Sequence, residues 1–344
     1  MIFTSERAEV FEFLDACFKL LYVALPSRQG ETFSLEPSSK VRDLRILAQK
    51  SFQRGFLRLV AADHSVVDPA VSLQAARLED GDHLTAIAVE ARLAATDRAF
   101  ALFFCGGDQV VTLCDPDWGG DSSQVQGQLA GVQQVPASYG AFAAILTDGS
   151  VVTWGSPHFG GDSSEVQDQL KSVQQVQGTR VLSDLGAGAF AAILADGSVV
   201  TWGDEYDGAN SWEVQDQLKG VQQVQATNGA FVAIRTDGSV VTWGDPDLGG
   251  NSSRVQDRLK GVQQIQATDR AFAAFLSDGS VVTWGDPDYG GDSSEVQDRL
   301  KSVQQIQASD SAFAAILADG SVVTWGNPAS GGDTSAFLAH FAYV

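Results

Sequence analysis

Asp278-Gly279-Ser280-Val281-Val282-Thr283-Trp284-Gly285 decides the fold, because the same eight letters return at Asp148–Gly155, Asp196–Gly203, Asp237–Gly244 and Asp319–Gly326. A degenerate copy, Gly107-Asp108-Gln109-Val110-Val111-Thr112-Leu113-Cys114, comes before them. Measured on the threonines at 112, 153, 201, 242, 283 and 324, the period is 41 residues, with one interval of 48. A fixed period of this length marks a repeat built from one supersecondary unit, a solenoid or a propeller.

Working outward from that stretch, Val262-Gln263-Gln264-Ile265-Gln266 reads as a first strand and Ala271–Leu276 as a second. Asp278-Gly279 is the tight turn, where positive φ is needed, and Val281–Trp284 is the third strand. Phe272, Ala274 and Leu276 alternate with Ala271, Ala273 and Phe275, so both faces of the hairpin are apolar and both must be covered. Blades stacked around an axis do this, and an alanine-rich strand suits the narrow centre. Val296 and Leu300, four residues apart, suggest a short outer helix instead of a fourth strand. The expectation is mainly β: about six three-stranded blades over 91–335, closed or nearly closed, with 336–344 as a tail that could add a closing strand.

The formal charge is −21 and unevenly spread. Residues 1–95 hold 13 acids and 11 bases, net −2; residues 96–344 hold 30 acids and 11 bases, net −19. The step supports a domain boundary near residue 95. An acidic repeat region repels phosphate backbones, which argues against nucleic acid and for a protein partner with a basic surface. Three cysteines, Cys17, Cys105 and Cys114, are too sparse for a disulfide scaffold and suit a reducing compartment. Glu6, Glu9, Glu12 and Asp15 interrupt the N-terminal apolar residues, so no signal peptide is read there, and no run reaches the ~18 apolar residues of a membrane span. Cytosol or nucleus is the expected location.

Residues 1–19 read as a short amphipathic helix with Ser5 as its cap. Residues 20–90 then read strand (Leu20–Pro26), turn, strand (Thr32–Leu35), helix, strand (Phe56–Ala61), irregular stretch and strand (His83–Val89). Val41, Leu44, Leu47 and Ala48 form the buried stripe of that helix. This is the β-grasp (α+β) order, and with the closing segment Leu78–Val89 it resembles a ubiquitin-like domain. The resemblance implies an apolar docking patch at Val60, Thr85 and Ile87, and ubiquitin-ligase or proteasome components as candidate partners. The diglycine tail of a conjugated modifier is missing, since the last strand continues through Glu90–Ala95 into the repeats.

In the repeats, the segment Ala312–Gly326 and the Gly-Gly turn after it resemble the regulator of chromosome condensation family of propellers. Here the period is shorter than that family's usual repeat, and six units are present. The resemblance implies a rigid partner-holding scaffold. It also leaves open guanine-nucleotide exchange on a small GTPase, as some relatives perform, although the exchange residues cannot be mapped onto these loops. A ubiquitin-ligase-associated factor is the other alternative.

Candidate partner contacts are the loop aromatics Trp118, Phe159, Tyr206 and Tyr289, which share one repeat position with Leu248 and Ser330. Each could equally lid its own blade. The turns before the second strand vary most, at Tyr139, Asn228, Asp269 and Arg270, and are expected on the opposite face, where specificity could live. The repeated tryptophans (Trp154, Trp202, Trp243, Trp284, Trp325) read as packing. Asp286, Asp288 and Asp292 have the one-three-seven spacing of a calcium loop, but Gly290 and Gln297 occupy the fifth and twelfth positions, which favours a solvated turn. No phosphate loop, metal spacing among the histidines or nucleophile triad is legible, so no cofactor and no catalysis are expected.

Overall fold

The computed structural model describes residues 19–26, 30–54, 56–105, 107, 110–180 and 186–333. The expected N-terminal helix, apart from Lys19, and the C-terminal tail lie outside them. The chain divides into two compact units, Met1–Ala91 and Arg92–Val344.

In the first unit, β1 (Lys19–Ala24), β2 (Gly30–Leu35), β3 (Leu57–Val60) and β4 (His83–Ala88) form one sheet in the order β2-β1-β4-β3. The β1–β4 pair is parallel and the others antiparallel, which is the β-grasp arrangement. Helix α1 (Val41–Ser51) lies on it through Val41, Leu44 and Ala48, which join Leu21, Val23, Leu57, Leu59, Leu84 and Ala86 in one core. Leu47 does not belong to that stripe. It is exposed together with Ile46, since only the 41-44-48 line faces the sheet.

The second unit holds six three-stranded antiparallel sheets in a propeller-like row. Blade 1 is β5 (Ala91–Ala95), β6 (Ala99–Phe104) and β7 (Val110–Cys114); blade 5, typical of the rest, has strands Val262–Ala267, Ala271–Leu276 and Val281–Gly285. From blade 3 to blade 6 the first strands of successive blades lie side by side. The Asp-Gly turns use one positive φ, at Gly279 (+81°) in blade 5, while Asp278 accepts hydrogen bonds from the Ser280 amide and hydroxyl at 2.9 and 2.6 Å.

Adjacent blades are joined by apolar layers and a repeated lock. Phe272 packs tilted against Trp284 of its own blade, ring centroids 5.3 Å apart, and the Trp284 indole donates to the Gly249 carbonyl of the preceding blade at 3.0 Å. Gly249 sits at φ +99°, and a Cβ there would lie 2.7 Å from the Phe272 ring. The same indole-to-glycine bond is made by Trp154, Trp202, Trp243 and Trp325. The repeated tryptophans therefore fasten each blade to the one before it.

The segment expected as an outer helix is a single turn, 3₁₀ at Gln126–Gln128, Gln215–Gln217 and Gln256–Arg258 and a plain hydrogen-bonded turn at Val296–Leu300, each with a buried leucine such as Leu259 or Leu300. Polar repeat residues hold it. Thr283 Oγ1 and Ser293 Oγ are 2.9 Å apart, Ser293 donates to Gln297 at 2.9 Å, and Gln297 Nε2 donates to the Val281 carbonyl at 3.0 Å.

Five apolar clusters join blades 1 to 6 in succession, and among the described residues none joins blade 6 back to blade 1. Residues at the two ends of the row are correspondingly more exposed than their equivalents in the middle. Phe100 is 45% exposed where its equivalent Phe272 is 0%, and Ile316 is 40% exposed where Ile145 is 2%.

Candidate functional site: the turn-and-loop face

Strand register sets which loops share a face. In every blade from the second onward, the start of the second strand pairs with the end of the third, as Ala271 does with Gly285. The variable turns and the aromatic loops therefore lie on one face and not on opposite ones. An antiparallel hairpin returns the third strand to the end where the second began.

A hydroxyl ties turn to loop. Thr268 Oγ1 accepts from the Ala271 amide at 3.0 Å and donates to the Tyr289 carbonyl at 3.0 Å. Thr96, Ser138, Thr227 and Ser309 donate in the same way to Trp118, Phe159, Leu248 and Ser330. Neighbouring blades are also linked through these turns. The Asn228 amide donates to the Asp269 carbonyl at 2.9 Å, and the Asp269 amide donates to the Asp310 carbonyl at 2.8 Å. The backbone of this face is held by repeat-conserving bonds, while its side chains differ from blade to blade.

The four loop aromatics do not form one ring of exposed anchors. Trp118, Tyr139 and Phe159 gather in a cluster with centroids 5.1 to 5.5 Å apart, and Phe159 is buried in it. Arg98 lies 4.6 Å over Trp118. Tyr289 is half-buried beneath Arg270, 4.9 Å from its ring, and Arg270 also reaches Asp286 at 3.8 Å. Tyr206 alone of the four stands free, 78% exposed.

Trp212, 76% exposed on the same loop segment, was not singled out from the sequence. The signal was present, since Trp212 replaces a serine found at Ser123, Ser164, Ser253 and Ser294 in the other copies. Tyr206 borders a cleft of about 670 Å³ with Glu205, Glu213, Asp245 and the edge of Trp243. Asp207, on this loop, accepts from the Ala187 amide at 3.2 Å. Burial, then the Asp204 charge, pushes its carboxyl up to about 6.

Asn228 and Asp269 come together in a second, smaller cavity of about 260 Å³ at the end of the first strands. Arg180 and Asp310, equivalent turn positions in blades 3 and 6, line it too. Asp269 is buried, and burial first, then the neighbouring Asp310, raises its carboxyl to about 6. Only proximity between blades reveals this grouping, because the four residues are 41 or 48 positions apart.

The remaining candidates separate. In the first unit, Thr85 and Ile87 are exposed on the open side of β4, but Val60, paired with Thr85, is buried. The Ala61–Ser65 turn folds Val66 against it. The aspartates of the calcium-like loop point to their own backbone: Asp286 accepts from the Asp288 amide at 2.9 Å and Asp292 from the Ser294 amide at 2.8 Å. Among the described residues, no group of three or more His, Cys, Asp or Glu is placed to hold a metal ion. Nor is any described helix long and apolar enough to cross a membrane.

Fold and face together define a β-grasp unit followed by a propeller of short repeat blades. No protein-family model matches the sequence, and no curated protein matches it. Solved structures do resemble it. Human WBSCR16 is 16% identical over 71% of this chain and 78% of that one, with a TM-score of 0.43. Prp20p of Saccharomyces cerevisiae, described with its binding to Gsp1p and histones, is 15% identical over 78% of this chain and 81% of that one, at 0.42. The first unit resembles the N-terminal ubiquitin-like domain of the 4931431F19Rik protein, at 16% identity over 24% of this chain and 84% of that one, with a TM-score of 0.21.

Proposed function

We propose that the chain is a non-enzymatic scaffold that holds a protein partner on the turn-and-loop face of its propeller unit. One observation carries this reading. The variable turns before the second strand and the loops that carry the aromatic positions lie together on a single face, whose backbone is locked by bonds common to the blades. A rigid frame with variable side chains lets specificity change without changing the fold. The partner presents a basic surface, to match the net −19 of residues 96–344 and the acidic rim of the Tyr206 cleft. Tyr206 and Trp212 supply the large exposed aromatic contacts that anchor interfaces.

The test is quantitative cross-linking of the full chain in cells, compared with Tyr206→Ala, Trp212→Ala and the surface control Asp168→Asn on the outer turn before blade 3. Loss of the same partners in both aromatic variants, with retention in the control, supports the face. Retention in all three overturns it. Two other roles for the same partner-holding architecture are separable. Accelerated nucleotide release from a small GTPase would assign exchange activity, and loss of partners on Ile87→Asp alone would assign recruitment of ubiquitin-ligase or proteasome components to the first unit.

A further inference from the structure

We propose that residues 334–344 cap the blade row, laying an outer turn over the side of blade 6 that faces away from blade 5. The five apolar clusters share one construction. In each, the outer turn that follows a blade covers that blade, as Val296, Leu300 and Val303 do for Ala271, Ala273 and Val281 of blade 5. Leu129, Leu170, Leu218 and Leu259 serve blades 1 to 4 in the same way. All five leucines are 0 or 1% exposed.

The repeat register runs unbroken past blade 6. Gly331-Gly332-Asp333 repeats Gly290-Gly291-Asp292, and Gly331 closes its 3₁₀ turn at φ +102° as Gly290 does at +89°. Carried one 41-residue period on, Val296, Leu300 and Val303 become Phe337, Phe341 and Val344. Thr334 keeps the hydroxyl of Ser293, which lies 2.9 Å from Thr283 Oγ1. Gln297 becomes Leu338, and the Val322 carbonyl accepts from Arg299 Nη2 at 3.4 Å where Val281 accepts from Gln297.

The surface such a turn reaches is the one left bare. Ile316 is 40% exposed, and Ala314 and Val322 are half-buried where Ala273 and Val281 are fully buried. Between blades, the turn shares its cluster with a ring of the next blade, as Leu300 does with Phe313. Among the described residues no such ring follows blade 6. Phenylalanines in place of valine and leucine supply larger apolar groups for that space. Stacked repeats require an atypical terminal element over the last apolar face. The cap is thus a turn in repeat register and not a strand added to a sheet edge.

Hydrogen exchange of the full chain, read by mass spectrometry, tests this. Phe341→Asp should speed exchange over Ala312–Gly326 about tenfold and leave blades 2 to 4 unchanged. Phe341→Leu, which restores the residue of the other repeats, should keep the protection. Ala339→Asp, at the position of the solvent-facing Asp298, should have no effect. A benzophenone analogue of phenylalanine at position 341 should cross-link to Ala314 or Ile316 within one chain, a readout that needs no destabilising change. Equal exchange in Phe341→Asp and the unaltered chain overturns the proposal. So does deprotection of blade 1 in place of blade 6, which would make the segment a closing strand. Cross-links formed only between chains would give the end face to a second copy and overturn it as well.

Discussion

The Trp284 indole of blade 5 donates to the Gly249 carbonyl of blade 4 at 3.0 Å, while the same glycine packs against Phe272, the ring tilted against Trp284. One glycine thus meets both members of an aromatic pair, through its carbonyl and through its missing side chain. Trp284→Phe keeps most of the packing and leaves a buried carbonyl unpaired, so it should cost about 1–3 kcal/mol in chemical denaturation. An unchanged midpoint would show that the bond is dispensable.

Glycine substitutions should be graded by what their Cβ meets. Gly249→Ala meets the Phe272 ring at 2.7 Å, whereas Gly331→Ala, at nearly the same φ (+102°), meets nothing within 4 Å. Both bear the cost of positive φ, on the order of 1 kcal/mol, and only Gly249→Ala adds a clash. Thermal melting should place Gly249→Ala clearly below Gly331→Ala.

The end of the blade row should tolerate what its middle does not. Phe231 is fully buried between blades and Phe100 is nearly half exposed. Phe231→Ala is expected to cost about 3–5 kcal/mol and Phe100→Ala about 1 kcal/mol. Similar losses would mean that the end face is covered in solution.

Acid–base linkage has opposite signs in two pH windows. Asp207 and Asp269 are raised to about 6, so the folded state holds their protons more tightly than the unfolded chain. Stability therefore falls as pH rises from about 4 to about 6, then levels off. Asp269→Asn should remove part of this slope and stabilise the protein at pH 7.5 by on the order of 1–2 kcal/mol. Asp148, Asp196, Asp237, Asp278 and Asp319 are held below the usual carboxylate range by the serine two residues on, so below about pH 4 the sign reverses and stability falls with acidity. Denaturation midpoints across pH 3–8 check both slopes.

Much of this molecule could be read from local sequence. Asp278–Gly285 and its copies specify hairpins because turn chemistry and strand alternation act over a few residues. Two apolar faces on each hairpin required stacked blades, and the repeated tryptophans were assigned to packing. Their bond to the preceding blade's glycine was not legible, since it joins residues 35 apart in blade 5. Equal repeat positions also concealed unequal environments. Phe159 is buried beside Trp118 and Tyr139, and Tyr206 is exposed, because each loop meets a different turn.

By itself, then, the sequence determined the β-grasp order, the repeat unit, the three-stranded blades and the acidic character, all properties of neighbouring residues or of composition. Only the tertiary structure decided that loops and turns share a face, that Phe100 and Ile316 at the two ends of the blade row are exposed where their equivalents are buried, and that Asn228, Asp269 and Asp310 line one cavity. Those outcomes depend on how each blade is placed against the next. That placement is set by side-chain packing between residues about one repeat apart, and periodicity alone does not encode it.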